Sequence, residues 1–497
     1  VYSFAQCLEQ GLLSFHDEGA VLLAASPWRS PEPLRLLADR PREAFAVDTD
    51  LPRLRVPWRE GSAGEAVLGV LTFRGGDLYP GLPLARPEVA ELPPNRKVWD
   101  PRLSRTTGKF PPGVYSSLTD ALSAVQPGDV LLVRYTGLLP IDPQELAKVN
   151  QRDLTIRPDE GYRPVLTLSQ SERASAALFK VFNGRLVLEG LQFDLRSLQP
   201  EKELSRGVVT VVGGGECVLR DCVVTLEEAS DVAFAAVRID DPEGEMKPGV
   251  ADTLPAPQVR LENSWVRGRG DLLAVSPSRP FEFAFDNGLA ALDGSLVRVE
   301  AGDKNGPAAG VSAVRLRRVT TYLTEHLLHL QARPDEGASP GLVPVEVTAA
   351  DCAFAPAGPY ALAFVQVDHV AGEAALRERG LLAWKDARNN VYGYSDQHAM
   401  LRIDPGDGGE MMPPKPFGVD KWLAFTLEEG RPFTRVRFAA QFVPGQPLTA
   451  VRPDDFRIRA LDPPPLPEPD PETLGANADR LPVLFSDRDE EPPPPQG

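Results

Sequence analysis

The chain has 497 residues, with 53 Lys and Arg against 70 Asp and Glu, a formal charge of −17. A general nucleic-acid binder needs net positive charge to displace phosphate counterions, so nucleic acid is excluded as a partner. The 42 % hydrophobic content supports a sizeable core, and 51 Pro with 42 Gly make the chain rich in turns.

No run of about 18 apolar residues occurs, so no direct membrane insertion is expected of this chain. Cys7, Cys217, Cys222 and Cys352 show no C-x-x-C metal spacing and are too few for a disulfide scaffold. Cys217 and Cys222 read as small buried apolar residues, with a mutual disulfide as the alternative. The chain starts at Val1 without a signal peptide, which reads as a piece processed or excised from a longer protein.

Residues 1–94 are β-rich in pattern, as in Leu12–Phe15, Val21–Leu23 and Val67–Leu71. They form either a small separate β unit or the end of a preceding solenoid. One amphipathic helix is expected at Ser117–Val125. There Leu118, Ala121, Leu122 and Val125 recur at i, i+3, i+4 and i+7, behind a Ser cap. Gln126-Pro127-Gly128-Asp129 stops it, and the strand Val130–Val133 follows.

From there to about residue 405 two kinds of short strand alternate. The first appears as Phe179–Val181, Val209–Val211, Val237–Ile239, Leu273–Val275, Val297–Val299, Leu328–Leu330, Val365–Val367 and Leu401–Ile403. The second includes Leu186–Leu188, Val259–Leu261, Phe281–Phe283, Val314–Leu316 and Val345–Val347, and polar corners such as Asp221-Cys222, Asn263-Ser264 and Asp351-Cys352 follow it. Strands this short form no core singly, but stacked rungs bury one another's alternate side chains, which is the logic of a solenoid. The long intervals at Asp240–Pro257 and Ala332–Pro344 read as loops leaving the coil. A propeller or sandwich of hairpins is the competing architecture, with Asn183-Gly184 and Asp293-Gly294 as its turns.

The run Tyr115 to Val133, with its Pro-Gly-Asp turn, followed by Leu154-Thr-Ile-Arg157, resembles the opening of right-handed parallel β-helix proteins of the pectin-lyase-like superfamily. Residues 95–405 are then the β-helix, opened by a capping helix, and 406–461 a C-terminal cap in which Trp422, Phe425, Leu427, Val436, Phe438 and Phe442 cover the far end. The chain is also similar to large bacterial β-helix surface proteins of the planctomycete type. That resemblance implies an all-β fold and an extracellular or cell-envelope location. Residues 462–497 hold 11 Pro and nine acids and read as a disordered, acidic Pro-rich linker or tail.

No metalloprotease, P-loop, hydrolase-elbow or kinase motif is present, and no metal or cofactor is expected. His326 and His329 read as surface histidines, and Asp368-His369 as a strand-end corner. The middle residue of each first-kind strand should face outward. In order these are Lys180, Thr210, Arg238, Ala274, Arg298, His329, Gln366 and Arg402. Rungs about 4.8 Å apart would line Lys180, Arg238, Arg298, His329 and Arg402 into a basic stripe suited to an acidic polysaccharide. The leading expectation is a non-catalytic envelope or extracellular β-helix, acting as a structural spacer or glycan-binding surface. A polysaccharide lyase or glycoside hydrolase with an unfamiliar site is the first alternative. An interaction module of a larger multidomain protein is the second.

Overall fold

The computed structural model describes four short strands before residue 92 and most of residues 95–485. It leaves out the loops at 104–109, 149–150, 152, 170–174, 197–204, 228–232, 242–253, 277–278, 302–309, 333–340, 359–362, 396–397, 406–416, 429–431, 444, 466–467 and 470–472. Backbone contacts divide the chain into two units, Val1–Glu91 and Leu92–Gly497. In the first, Leu13–His16 pairs antiparallel with Gly19–Leu22, and Ala46–Asp48 with Arg53–Arg55. The expected strand at Val67–Leu71 lies outside the described residues, as do most of the two long loops.

The second unit is a parallel β-helix. Its first face is a nine-stranded sheet, from Gln144–Leu146 to Leu401–Asp404. The second and third faces run through one 18-stranded sheet because two 12-residue strands, Glu282–Asp293 and Ser312–Leu323, cross the corner between them. Every pairing among the three faces is parallel, which excludes blades and hairpins. Asn183 instead makes a left-handed turn, at φ 49°, between the first face and the second.

The first-kind strands stack in the expected register. Phe179, Val209, Val237, Leu273, Val297, Leu328, Val365 and Leu401 form one inward column. On the second face Leu186, Cys217, Val259, Phe283, Val314 and Val347 form another, all buried. Burial of such a side chain stabilises by about 1.5–3 kcal/mol, so it is the repetition of rungs that makes the column stable. Cys217, Cys222 and Cys352 are buried free thiols in this wall.

The corner between the second and third faces takes a left-handed residue at each rung. Asp221, Asn263, Asn287, Arg318, Asp351 and Asn389 have φ between 46° and 59°. Asn and Asp tolerate this conformation because their short polar side chains bond locally. Here they bond up the stack: Asn287 Nδ2 donates to Asn263 Oδ1 at 3.0 Å, and Asn389 Nδ2 to Asp351 Oδ1 at 2.7 Å. Just inside the corner Ser264 Oγ accepts from Cys222 N–H at 3.0 Å and donates to the Glu262 carbonyl at 2.8 Å.

The base is closed by the helix Leu118–Ala124, with Ser117 as cap and Leu118, Ala121 and Leu122 buried. At the far end the helix Val419–Thr426 seats Trp422, fully buried, with its ring 5.2 Å from Trp384 and 5.5 Å from Phe364. Of the residues expected to cover the far end, Phe425 stacks on Trp422. Leu427 is exposed, and Phe438 and Phe442 lie on the side wall with Phe456, around Tyr322 of the third face.

The Pro-rich tail also departs from a free linker. The Gly475, Ala476 and Asn477 amides donate in turn to the Asp351 carbonyl (2.7 Å), Thr320 Oγ1 (2.9 Å) and Asn287 Oδ1 (2.7 Å). The Pro482 carbonyl then accepts from Trp265 Nε1 at 3.0 Å. Residues 473–485 therefore form no strand and make one 3-10 turn at Ala478–Arg480, yet they are strapped across the rungs. Apolar side chains on the outside of the third face explain why: Val223, Trp265, Leu289 and Ala291 are buried under Leu448, Val451, Phe456 and Leu481. Residues 486–497 lie outside the described residues.

Candidate functional site on the first face

The residues of the expected stripe do form one column. Lys180 pairs with Thr210, then Arg238, Ala274, Arg298, His329, Gln366 and Arg402, each one rung from the next. Thr210, Ala274, His329 and Gln366 are buried among their neighbours, Lys180, Arg238 and Arg298 are half-buried, and Arg402 is exposed.

A second outward column stands two residues further along each strand, about 7 Å away. It starts with the apolar Phe182 and Val212 beside Lys180 and Thr210 and then carries Asp240, Glu300, Gln331, Asp368 and Asp404. The face is thus not a bare positive stripe but a double row, basic beside acidic. Arg238-Ile-Asp240, Arg298-Val-Glu300 and Arg402-Ile-Asp404 carry that signal in the sequence, and reading only the middle residue of each strand misses it.

At the middle rungs the two rows close into a network. Arg298 Nε donates to Asp271 Oδ2 at 2.7 Å, and its Nη2 to Glu325 Oε2 at 2.8 Å. Its Nη1 lies 3.0 Å from His329 Nδ1. A guanidinium only donates, so Nδ1 accepts and the ring proton sits on Nε2. That proton is donated to Asp368 Oδ2 at 2.7 Å, and Gln366 Nε2 donates to Asp368 Oδ1 at 2.6 Å.

The electrostatics follow from burial and pairing. Burial opposes the charge on Arg298, but Asp271 and Glu325 outweigh it and raise the pKa. Burial would likewise raise Asp368, yet the hydrogen bonds from His329 and Gln366 hold it below the usual carboxylate range. Asp240 is raised by burial despite Arg238 and Lys180 nearby. Arg238 Nε and Asp240 Oδ1 are 3.9 Å apart.

The two histidines correct the sequence expectation, because both are buried rather than on the surface. His326 Nδ1 donates to the Ala363 carbonyl at 2.6 Å, and its ring meets His329 edge-on at 4.8 Å between centroids. Burial pulls its pKa down to about 4. A short Leu-Leu step turns the chain from the corner onto the face, so the spacing of the pair carried no helical meaning. Asp368 does end its strand, and His369 follows in a left-handed turn at φ 60°.

Among the described residues no group of three or more His, Cys, Asp or Glu side chains is arranged to hold a metal ion. No helix is long and apolar enough to cross a membrane among those residues. The fold and this face define a parallel β-helix solenoid with a charge-paired outer sheet. Neither the family models nor the curated proteins include a match to the chain.

Proposed function

We propose that the chain is a non-catalytic β-helix of the pectin-lyase-like kind, a rigid spacer in the extracellular space or cell envelope. Its first face binds an extended acidic polysaccharide. The observation that carries this reading is the in-register double row. Along it Lys180, Arg238 and Arg402 offer cations to carboxylates, while Asp240, Glu300 and Asp404 accept hydrogen bonds from hydroxyls. A uronate chain carries both groups on its sugar units, and the rung spacing of about 4.8 Å is close to the rise of an extended sugar chain. Arg298 and His329 are bound to Asp271, Glu325 and Asp368, so they stiffen the middle of the row and set its shape.

Pull-down and array binding with polyuronates and neutral glucans tests this. The full chain is expected to retain polyuronate in a salt-sensitive way, with about a tenfold or greater loss in Arg238→Ala/Arg402→Ala. Retention of neutral glucan alone, or of neither polymer, rejects the acidic ligand.

A further inference from the structure

The last coil departs from the regularity of those below it. Opposite Thr348–Ala350 the strand Leu382–Arg388 carries one extra residue, so that Lys385 pairs with Thr348 but Arg388 with Ala350. Asp386, inside this bulge, is left-handed at φ 50°, although the other non-glycine residues of that conformation near it stand at corners. Bulges re-aim side chains, and Asp is one of the few non-glycine residues that takes the left-handed conformation readily.

The bulge opens onto a cleft of about 610 Å³, within the usual range for small-ligand pockets. Asp386, Arg388, Leu427, Glu428, Pro432 and Pro469 are among its lining residues. Glu428 is half-buried and held in place: the Tyr392 hydroxyl donates to Oε2 at 2.8 Å, and Asn390 Nδ2 lies 3.4 Å from Oε1. Burial raises the Glu428 carboxyl despite both donors. Asp386 and Arg388 are exposed, with no ion-pair partner among the described residues. The cleft therefore combines an acceptor, a donor fork and a fixed carboxyl with an apolar wall of Leu427 and two prolines. A sugar ring has matching parts, hydroxyls around its edge and C–H groups on its face.

We infer that this cleft binds a single saccharide unit between the Asp386–Arg388 bulge and Glu428. It lies apart from the first face, and the two proposals stand or fall separately. The test titrates the full chain with trisaccharides of glucose, N-acetylglucosamine and glucuronate, followed by intrinsic fluorescence, since Trp384 lines the cleft. At least one should bind, with about a tenfold or greater loss in Asp386→Ala/Arg388→Ala and in Glu428→Ala. Glu428→Gln, which keeps a hydrogen-bonding group on Tyr392 and Asn390, should bind within a few-fold of wild type. Circular dichroism checks the fold of each variant, and the exposed pair Asp386 and Arg388 keeps the test valid should Glu428→Ala unfold. No binding by any trisaccharide, or binding untouched by Asp386→Ala/Arg388→Ala, overturns the inference.

Discussion

The backbone amide of Phe485 donates to Gln192 Oε1 at 3.1 Å, joining residues 293 positions apart in sequence. With the bonds from Gly475 to the Asp351 carbonyl and from Trp265 to the Pro482 carbonyl, it fixes a strap running against the stacking direction. Local stability in solenoids is a sum of nearest-neighbour terms, and this strap adds a term spanning several neighbours at once.

Truncation after residue 472 should therefore cost more than loss of a loose tail. Leu474 and Leu481 are buried by the strap, and each is worth about 1.5–3 kcal/mol. Urea denaturation should show a clear fall in midpoint, and Trp265→Phe a smaller one of about 1 kcal/mol for the lost bond to Pro482. An unchanged midpoint on truncation would show that the strap does not grip the column.

Gly288 has a steric role. A Cβ there would collide with the Phe285 ring, and no positive φ complicates the substitution. Gly288→Ala should destabilise by about 1–3 kcal/mol through overpacking. Adding Phe285→Leu should recover part of that, which a purely conformational effect of glycine would not allow. The double-mutant cycle in urea separates the two.

His326 gives the fold an acid-sensitive corner. Its folded pKa of about 4 lies below the ordinary 6.5, so the neutral ring is the form the fold accepts. The unfolded chain then binds more protons between those values, and stability falls as pH drops from 6.5 towards 4. The contribution is fully present above 6.5 and amounts to about 3 kcal/mol. His326→Gln should flatten the stability profile in that window, measured by urea midpoints at stepped pH.

Arg298 holds two carboxylates and a histidine together. Arg298→Met should leave Asp271 and Glu325 without their cation and cost about 2–4 kcal/mol, discounted because the guanidinium is partly solvated. Asp271→Asn in the same background should cost much less than it does alone. Additive losses would show that the pair is not coupled.

The first and second faces were legible because one side of each strand meets the core and the other meets solvent or charge. Val237-Arg238-Ile239 and Val314-Arg315-Leu316 alternate for that reason. The third face was not, because Val223, Trp265, Leu289 and Ala291 point away from the core and are apolar on both sides of the sheet. What they meet comes from residues more than 150 positions later, and no local pattern encodes such a partner. The same covering turned a Pro-rich stretch with the composition of a free linker into packed chain. The polar corners were visible as Asn and Asp, whereas the ladder they build required the register. The basic column was found and its acidic neighbour missed, since the test applied to each strand stopped one alternation short. The cleft beside Glu428 depends on a bulge and on Pro432 and Pro469 brought in from later in the chain, none of which has a signature in the sequence.

Repetitive columns ordinarily gain or lose floors by duplication of a single unit. This one cannot do so freely between Gln192 and Asp351, because a strap of fixed length is tied at both levels. An inserted floor would part its anchors by about 4.8 Å and force one of them to let go. The tail thus acts as a ruler, making the number of floors in that stretch an inherited constant.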